Sequence, residues 1–442
     1  MSPIAISPQR RDEILDALRR GTVPASSLDL LAVGLGRFEA TLRDELDAVR
    51  AGRGVFKAVR GEYGSGKTFF ARWFEELARR DGFATSEVQI SETETPLHRL
   101  ETVYRRVIEQ LTTVECRPSA LRSVIDGWFF TLEEEIMADG EVPASDGHGL
   151  LDRTNALMEQ RLAAVTRTAP TFAACLRRYR QALASGDREV ADGLIAWLAG
   201  SPNVSARVKR SAGIRGEVDH FGALSFLQGL LTVLRDSGSP GLVLVLDEVE
   251  TLQRVRGDVR DKALNALRQL IDEVDTGRFP GLYLLISGTP AFFDGPQGAQ
   301  RLPPLMQRLH VDFTTEARFD NPRAMQIRLP GFDLEKLQMV GCRVRDIYAT
   351  HCLHAERIIR LADDRYIADL ATAVVGALGG KIGITPRVFL KKLVGDILDR
   401  IDQFSEFDPR QHYALTITDR ELTEVERNAR AAVGVDDIEL NV

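Results

Sequence analysis

Short apolar runs alternate along the chain with stretches whose apolar residues recur at helical spacing. The runs begin near residues 55, 87, 242, 282 and 327, and one of them reads LVLVL at 242–246. A run that is apolar on both faces is typical of a central strand in a parallel sheet covered by helices. The pattern therefore predicts an α/β fold built on a parallel sheet.

The remaining segments are spaced as helices. Residues 8–20 form an amphipathic pattern that Gly21 should end, and Thr95 with Pro96 should cap and begin a later helix. Helical spacing from 117 to 219, divided by the polar break ADGEVPASDGHG, is far longer than a crossover between parallel strands needs. We interpret this insertion either as a subdomain that binds a partner or substrate, or as a purely architectural element.

The stretch VFKAVRGEYGSGKT, residues 55–68, carries the pattern G-x-x-x-x-G-K-T between an apolar strand and a helix. Glycines let the backbone fold around phosphates, and amide hydrogens at a helix N-terminus attract anions. Lys67 is expected to bridge the β and γ phosphates of ATP, and the Thr68 hydroxyl to bind Mg²⁺. The alternative is an ordinary glycine-rich turn. The predicted nucleotide-binding residues are Gly61, Glu62, Tyr63, Gly64, Ser65, Gly66, Lys67, Thr68 and Phe69.

Two adjacent carboxylates follow the run at 242–246. Asp247 and Glu248 come at the carboxyl end of the predicted central strand, where open α/β sheets place their ligands. Asp247 is expected to hold the water shell of Mg²⁺. Glu248 is expected to orient and polarise the attacking water, as hydrolysis of ATP requires.

Composition limits the class of protein. The 442 residues are 44% hydrophobic and 27% charged, values that are ordinary for a globular protein. No apolar stretch approaches the length of a membrane span, the start has no signal-peptide core, and the four cysteines form no C-x-x-C pair. We expect a cytoplasmic protein. The formal net charge of −7 argues against a surface built for constitutive nucleic-acid binding.

A turn before the phosphate loop carries a wider resemblance. The segment LAVGLGRF followed by a helix and then the loop resembles the adenine-lining segment of AAA+ ATPases, particularly the initiator and Cdc6-like branch. The resemblance implies an AAA+ P-loop NTPase fold, with a large helical insertion and a C-terminal helical lid. The implied adenine-lining residues are Leu31, Val33, Gly34 and Arg37.

The same resemblance assigns further roles. Ser287 or Thr289, at the tip of the strand near 282–287, would sense the γ phosphate. Arg308, in an L-x-x-R-L pattern, would reach the γ phosphate of a neighbouring protomer. Arg387, which with Gly383, Thr385 and Pro386 opens the last long helix, would couple the lid to the nucleotide.

These assignments divide the chain into four parts. We expect an N-terminal helical extension over 1–30 and an AAA+ nucleotide-binding domain over 31–330. A helical lid is expected over 331–400, followed by a short tail over 401–442. That tail is too short for the winged-helix DNA reader that follows the lid in initiator-like ATPases.

A narrower resemblance rests on longer segments. RRDEILDALRRGTVP, LAVGLGRF, VRGEYGSGKTFFARWFEELA and SETETPLHRLETVYRRVIEQL together are similar to the BREX phage-defence ATP-binding proteins of the BrxD type. The likeness implies a bacterial ATPase of a defence operon, with ATP and Mg²⁺ as cofactors. It also implies a homo-oligomer that works with DNA or with a helicase partner, as its loader.

Three classes of function remain open from the sequence. The first is an ATPase that loads or remodels a DNA-bound or helicase partner. The second is a slowly hydrolysing nucleotide switch or scaffold whose insertion binds proteins. The third is a phosphate-loop kinase, against which the Asp247 and Glu248 pair argues.

Overall fold

The centre of the molecule is a five-stranded parallel sheet. The computed structural model describes residues 6–139, 147–377, 386–418, 420–422 and 427. The strands lie in the order β2-β3-β4-β1-β5, and each neighbouring pair is parallel. Their bounds are β1 Val55–Arg60, β2 Ala84–Gln89, β3 Leu242–Asp247, β4 Leu282–Gly288 and β5 Gln326–Arg328. The predicted α/β fold with a parallel sheet is therefore confirmed.

The register of the sheet brings the ends of three strands together. Val59 of β1 pairs with Ser287 of β4, and Leu246 of β3 pairs with Ile286. Because parallel strands end at the same edge, the residues that follow β1, β3 and β4 meet there. Every residue of β3 and β4 is buried, as their apolar runs predict.

Two of the first three helices cover one face of the sheet. α1 (Pro8–Arg20) ends at Gly21, whose left-handed conformation with φ of 70° is the predicted stop. α2 (Gly36–Arg50) leads into β1, and α3 (Lys67–Arg80) follows the phosphate loop. Apolar residues of α2 and α3, including Leu42 and Phe74, share one core with Val243, Val245 and Tyr283 on one face of the sheet.

Among the residues that the structure describes between β2 and β3, eight helices cover the other face of the sheet. They are α4 (Leu100–Gln110), α5 (Leu121–Ala138), α6 (Gly147–Arg161), α7 (Ala163–Thr168), α8 (Pro170–Ala184), α9 (Arg188–Leu198), α10 (Ala206–Ser211) and α11 (His220–Asp236). Trp128 and Tyr179 of this group lie in the same apolar cluster as Leu244 of β3. The inserted helices are thus continuous with the core of the sheet.

Two local predictions in this region were wrong. β2 begins at Ala84 and ends at Gln89, whereas the sequence predicted a strand that begins near residue 87, because β2 pairs with β3 from Leu242 onward. α4 begins at Leu100 and not at Thr95. The Thr95 hydroxyl donates to the carbonyl of Gln89, which ties this residue back to the strand instead of capping a helix.

Three helices connect the last strands. α12 (Gly257–Asp275) lies between β3 and β4, whereas α13 (Pro290–Asp294) and α14 (Pro303–Leu309) lie between β4 and β5. A short 3₁₀ helix, Val249–Gln253, follows β3 directly and lies over the phosphate loop.

The chain after β5 forms a helical lid. Its elements are α15 (Leu334–Ala349), α16 (Ala355–Leu361), α17 (Asp364–Ala377), α18 (Pro386–Lys391), a π-helical segment (Lys392–Leu398), α19 (Asp399–Gln403) and α20 (Pro409–His412). Leu15 and Leu18 of α1 are buried in the same cluster as Leu337 and Phe389 of the lid. Arg19 of α1 also pairs with Asp399 at 2.7 Å, so the N-terminal helix is part of the lid layer.

Candidate nucleotide-binding site

The loop between β1 and α3 has the backbone of a phosphate cradle. Gly64 and Gly66 have φ values of 78° and 91°, a conformation that side chains with a Cβ rarely adopt. At Gly61 a Cβ would collide with the Ser65 hydroxyl. That hydroxyl is buried and accepts or donates no hydrogen bond among the described residues. The loop therefore presents a polar group and the N-terminus of α3 to the adjoining cavity.

Lys67 lies folded against its own loop. Its ammonium donates to the carbonyl oxygens of Gly61 at 3.0 Å and Glu62 at 3.3 Å. A carboxylate oxygen of Glu250 lies 3.8 Å away, and the ring of Tyr63 lies 5.2 Å from the ammonium. The side chain is thus buried and held at the mouth of the loop.

The side chains of two other elements, α3 and β4, meet at Asp247 of β3. The Thr68 hydroxyl of α3 donates to one carboxylate oxygen at 2.8 Å, and the Ser287 hydroxyl of β4 donates to the other. Thr289, the alternative to Ser287, is buried at the start of α13, where its carbonyl accepts from the amide of Phe292. Of the two alternatives, Ser287 is the one that contacts Asp247. Thr68 and Asp247 offer the hydroxyl and carboxylate oxygens that Mg²⁺ prefers.

Glu248 occupies an unusual backbone position. Its φ of 60° is uncommon for a residue other than glycine and turns the side chain toward the end of β2. There the side-chain amide of Gln89 donates to the Glu248 carboxylate at 2.8 Å. Glu248 remains on the wall of the cavity.

Glu250 is a buried carboxylate beside the loop. Only 4% of its side chain is exposed, and neither of its oxygens accepts a hydrogen bond from a described side chain or backbone group. Burial raises the pKa of its carboxyl and the charge of Lys67 opposes that change, while Asp247 and Glu248 add to it.

The cavity above the loop has a volume of about 580 Å³, within the range of small-ligand sites. Its walls come from the loop, the 3₁₀ helix after β3, the segment after α1 and the lid. The apolar wall consists mainly of Leu18, Val23, Pro24, Leu31, Val33, Leu35, Phe38, Phe332, Val340 and Leu390. Of the predicted loop residues, positions 63–69 line it, whereas Gly61 and Glu62 reach it through Lys67.

Arg37 lies outside the cavity lining, unlike Leu31, Val33 and Gly34. Its guanidinium donates to the carbonyls of Ala317 at 2.8 Å and Arg328 at 3.0 Å. Because α2 begins at Gly36, Arg37 falls in the first helical turn and connects that turn to the segment around β5. Leu35, two residues earlier, lines the cavity.

The two remaining arginines lie in different places. Arg387 of α18 lines the cavity, donates to the carbonyl of Glu421 at 2.8 Å and lies beside Gly21. Its predicted neighbours Gly383 and Thr385 lie outside the described residues. Arg308 of α14 is 39% exposed and pairs with Asp272 at 2.6 Å and Asp275 at 3.1 Å, away from this cavity.

Several lining or contacting residues were missed by sequence reasoning. They are Gln89, Glu250, Arg254, Phe332 and Lys336. Glu250 could have been suspected, since it gives the strand end the pattern D-E-x-E. The others carry no local signal, because their position depends on how distant elements pack.

Comparison with known proteins identifies the family of this chain. The family model for the BREX system ATP-binding protein BrxC/D matches residues 6–417. Among solved structures, a chain in the structure of Drosophila ORC bound to DNA is 13% identical. The alignment covers 90% of this chain and 69% of that chain, with a TM-score of 0.30. A comparison with curated proteins found no match. Since the family match extends over nearly the whole sequence, the chain belongs to the BREX system ATP-binding protein BrxC/D family.

Proposed function

We propose that this protein binds and hydrolyses ATP in the cytoplasm of a bacterium as part of a phage-defence system. The observation that carries the proposal is the meeting of Thr68, Asp247 and Ser287 beside Lys67, with Glu248 one residue further on. This set joins a phosphate-binding loop to a carboxylate that can polarise water. Such a combination serves hydrolysis of a phosphoanhydride.

The residues fit ATP and Mg²⁺. The cavity is large enough for a nucleotide, its apolar wall suits a base, and the buried Ser65 hydroxyl faces the loop without a partner among the described residues. Thr68 and Asp247 would hold the metal. Bound Mg²⁺ would supply positive charge against the β and γ phosphates.

The remaining steps belong to side chains of this chain. Lys67 would bind phosphate oxygens while keeping its bonds to the loop carbonyls, and Ser287 would fix the orientation of Asp247. Glu248 would accept a proton from the attacking water, for which its carboxylate must rotate away from Gln89. These roles together would make up an AAA+ type of mechanism.

The lid would report the state of the nucleotide. Arg387 reaches the cavity from α18, and the apolar wall combines α1, its following segment and α15. A nucleotide in this cavity would therefore contact the sheet domain and the lid together, so loss of the γ phosphate would loosen their contact. We propose that this movement acts on DNA or on a helicase partner within a homo-oligomer, with Arg308 supplied to the adjacent protomer.

ATP turnover measured across a protein concentration series, with and without single- and double-stranded DNA, tests this function. We expect a rate per protomer that rises with concentration and rises further with DNA. Glu248→Gln should bind ATP and assemble more strongly, yet hydrolyse about a hundredfold or more slowly, because it removes the base. Wild-type turnover by Glu248→Gln would refute the mechanism.

A nucleotide-dependent switch or scaffold is the second candidate. It is favoured by the hydrogen bond between Gln89 and Glu248, which holds the base back from the position that hydrolysis needs. In that case wild-type turnover stays near background at every concentration, whereas Lys67→Ala abolishes partner binding.

A further inference from the structure

Glu250 has no role in ATP hydrolysis as proposed above. It lies on the 3₁₀ helix after β3, three residues beyond Asp247, and its side chain lines the cavity. A buried carboxylate without a hydrogen bond is costly to the folded protein. Such groups concentrate at sites where charge performs a task.

The nearest cation to Glu250 is Lys67. Their charged atoms lie 3.8 Å apart, at the outer limit of an ion pair, and both side chains are more than nine-tenths buried. The ammonium has three protons to donate, and the carbonyls of Gly61 and Glu62 accept two hydrogen bonds. Glu250 is therefore the charged partner of Lys67, whereas the loop carbonyls fix its position.

Phosphate oxygens would need the same ammonium. A nucleotide that reaches Lys67 brings negative charge into a space that Glu248 and Glu250 line, with Asp247 near Glu250. Asp247 is compensated by its two hydroxyl donors and Glu248 by Gln89, but Glu250 has no such donor among the described residues. Low screening in a buried site makes the repulsion from Glu250 stronger than that from a surface carboxylate.

We propose that Glu250 is a positioning residue that competes with the phosphates of a nucleotide for the Lys67 ammonium, and so weakens nucleotide binding. The inference rests on the proposed function. Removing the charge of Glu250 leaves the hydrogen bonds from Lys67 to two loop carbonyls in place. The conformation of the loop is therefore preserved, while the carboxylate that competes with phosphate is removed. The consequence for turnover is faster release of ADP by the wild-type protein than by a variant without this charge.

The test measures dissociation constants for ADP and for a non-hydrolysable ATP analogue by calorimetry, together with the rise in melting temperature that each causes. Glu250→Gln keeps the shape and removes the charge. We expect it to bind both nucleotides about tenfold tighter and to show the larger thermal shift. Its KM should fall, and its kcat should fall or stay constant, because release slows.

Two further variants control for structure. Glu250→Asp keeps the charge and should bind nucleotides as the wild type does. Glu75→Gln also replaces a buried carboxyl of comparable exposure, but Glu75 does not line the cavity, so nucleotide affinity should not change. A change in Glu75→Gln equal to that in Glu250→Gln would assign the effect to general loosening of the fold and overturn the proposal.

The outcomes distinguish failure of this inference from failure of the proposed function. Unchanged or weaker nucleotide binding by Glu250→Gln overturns this inference and leaves the proposed function in place. Absence of nucleotide binding by the wild-type protein overturns the proposed function and this inference with it. Tighter binding confined to Glu250→Gln supports both.

Discussion

The side-chain amide of Gln89 donates to the carboxylate of Glu248 at 2.8 Å, across 159 residues of sequence. Gln89 ends β2, and Glu248 follows the neighbouring strand β3, where its positive φ directs the side chain to that end. The bond connects the proposed catalytic base to a strand that leads into the inserted helices. A movement of the end of β2 would therefore change the position of the Glu248 carboxylate.

Gln89→Ala should raise basal ATP turnover several-fold, because a carboxylate freed from one charged hydrogen bond of about 1.5–3 kcal/mol can face the attacking water more often. Steady-state phosphate release measures this. Gln338→Ala is the control, since Gln338 donates to a backbone carbonyl in the lid at 3.4 Å. A turnover of Gln89→Ala below that of the wild type would show that the bond supports the base instead of restraining it.

Thr68→Val should weaken Mg²⁺-dependent nucleotide binding by about ten- to a hundredfold, because it removes the hydroxyl that donates to Asp247 at 2.8 Å. Thr68→Ser retains the hydroxyl and should bind nearly as the wild type does. Nucleotide titrations with Mg²⁺ and with a chelator separate the metal-dependent part. If the Val and Ser variants lose the same affinity, the methyl group matters as much as the hydroxyl and the prediction is wrong.

Arg308→Ala should lower turnover, and mixing it with Lys67→Ala should restore part of the activity. In such a mixture an intact site on the Arg308→Ala protomer can receive Arg308 from the adjacent Lys67→Ala protomer. The loss in Arg308→Ala alone should be about a thousandfold if the arginine reaches the γ phosphate.

Arg301→Ala is the matched control for that mixture. Arg301 is also exposed and also pairs with a carboxylate of α12, namely Asp261. Mixtures that show only the summed activity of their components would exclude a shared site.

Glu75 makes stability depend on pH. Burial, with a smaller effect of Glu87, raises the pKa of its carboxyl from 4.5 to about 8. Between these values the folded protein binds the proton that the unfolded chain has lost. The contribution of Glu75 to stability is therefore full below pH 4.5 and is lost as pH rises to about 8, by up to ~1.4 kcal/mol per pH unit.

Melting temperatures of the wild type and Glu75→Gln between pH 5 and 9 measure this contribution. The wild type should lose stability steadily up to about pH 8, whereas Glu75→Gln should lose less over the same interval. Parallel curves for the two proteins would mean that Glu75 titrates alike in the folded and unfolded chains.

The sequence by itself determined the sheet, the loop and the acidic pair. The runs at 242–246 and 282–287 became β3 and β4, because a strand buried on both faces is typically apolar throughout, and the run at 55–59 became β1. Gly21 ended α1 and the glycines of the loop adopted positive φ, because these are requirements of the local backbone. Such features depend on residues close in sequence.

Tertiary structure decided the partners of these residues. Arg37 was expected to contact adenine, but the approach of the segment around β5 offers it two carbonyls instead. Gln89 and Glu250 gained their positions from the register of β2 with β3 and from the 3₁₀ helix over the loop. α1 joined the lid because its apolar face meets α15 and α18 there. Contacts between residues far apart in sequence produce no periodic pattern in the sequence, since only tertiary packing brings those residues together.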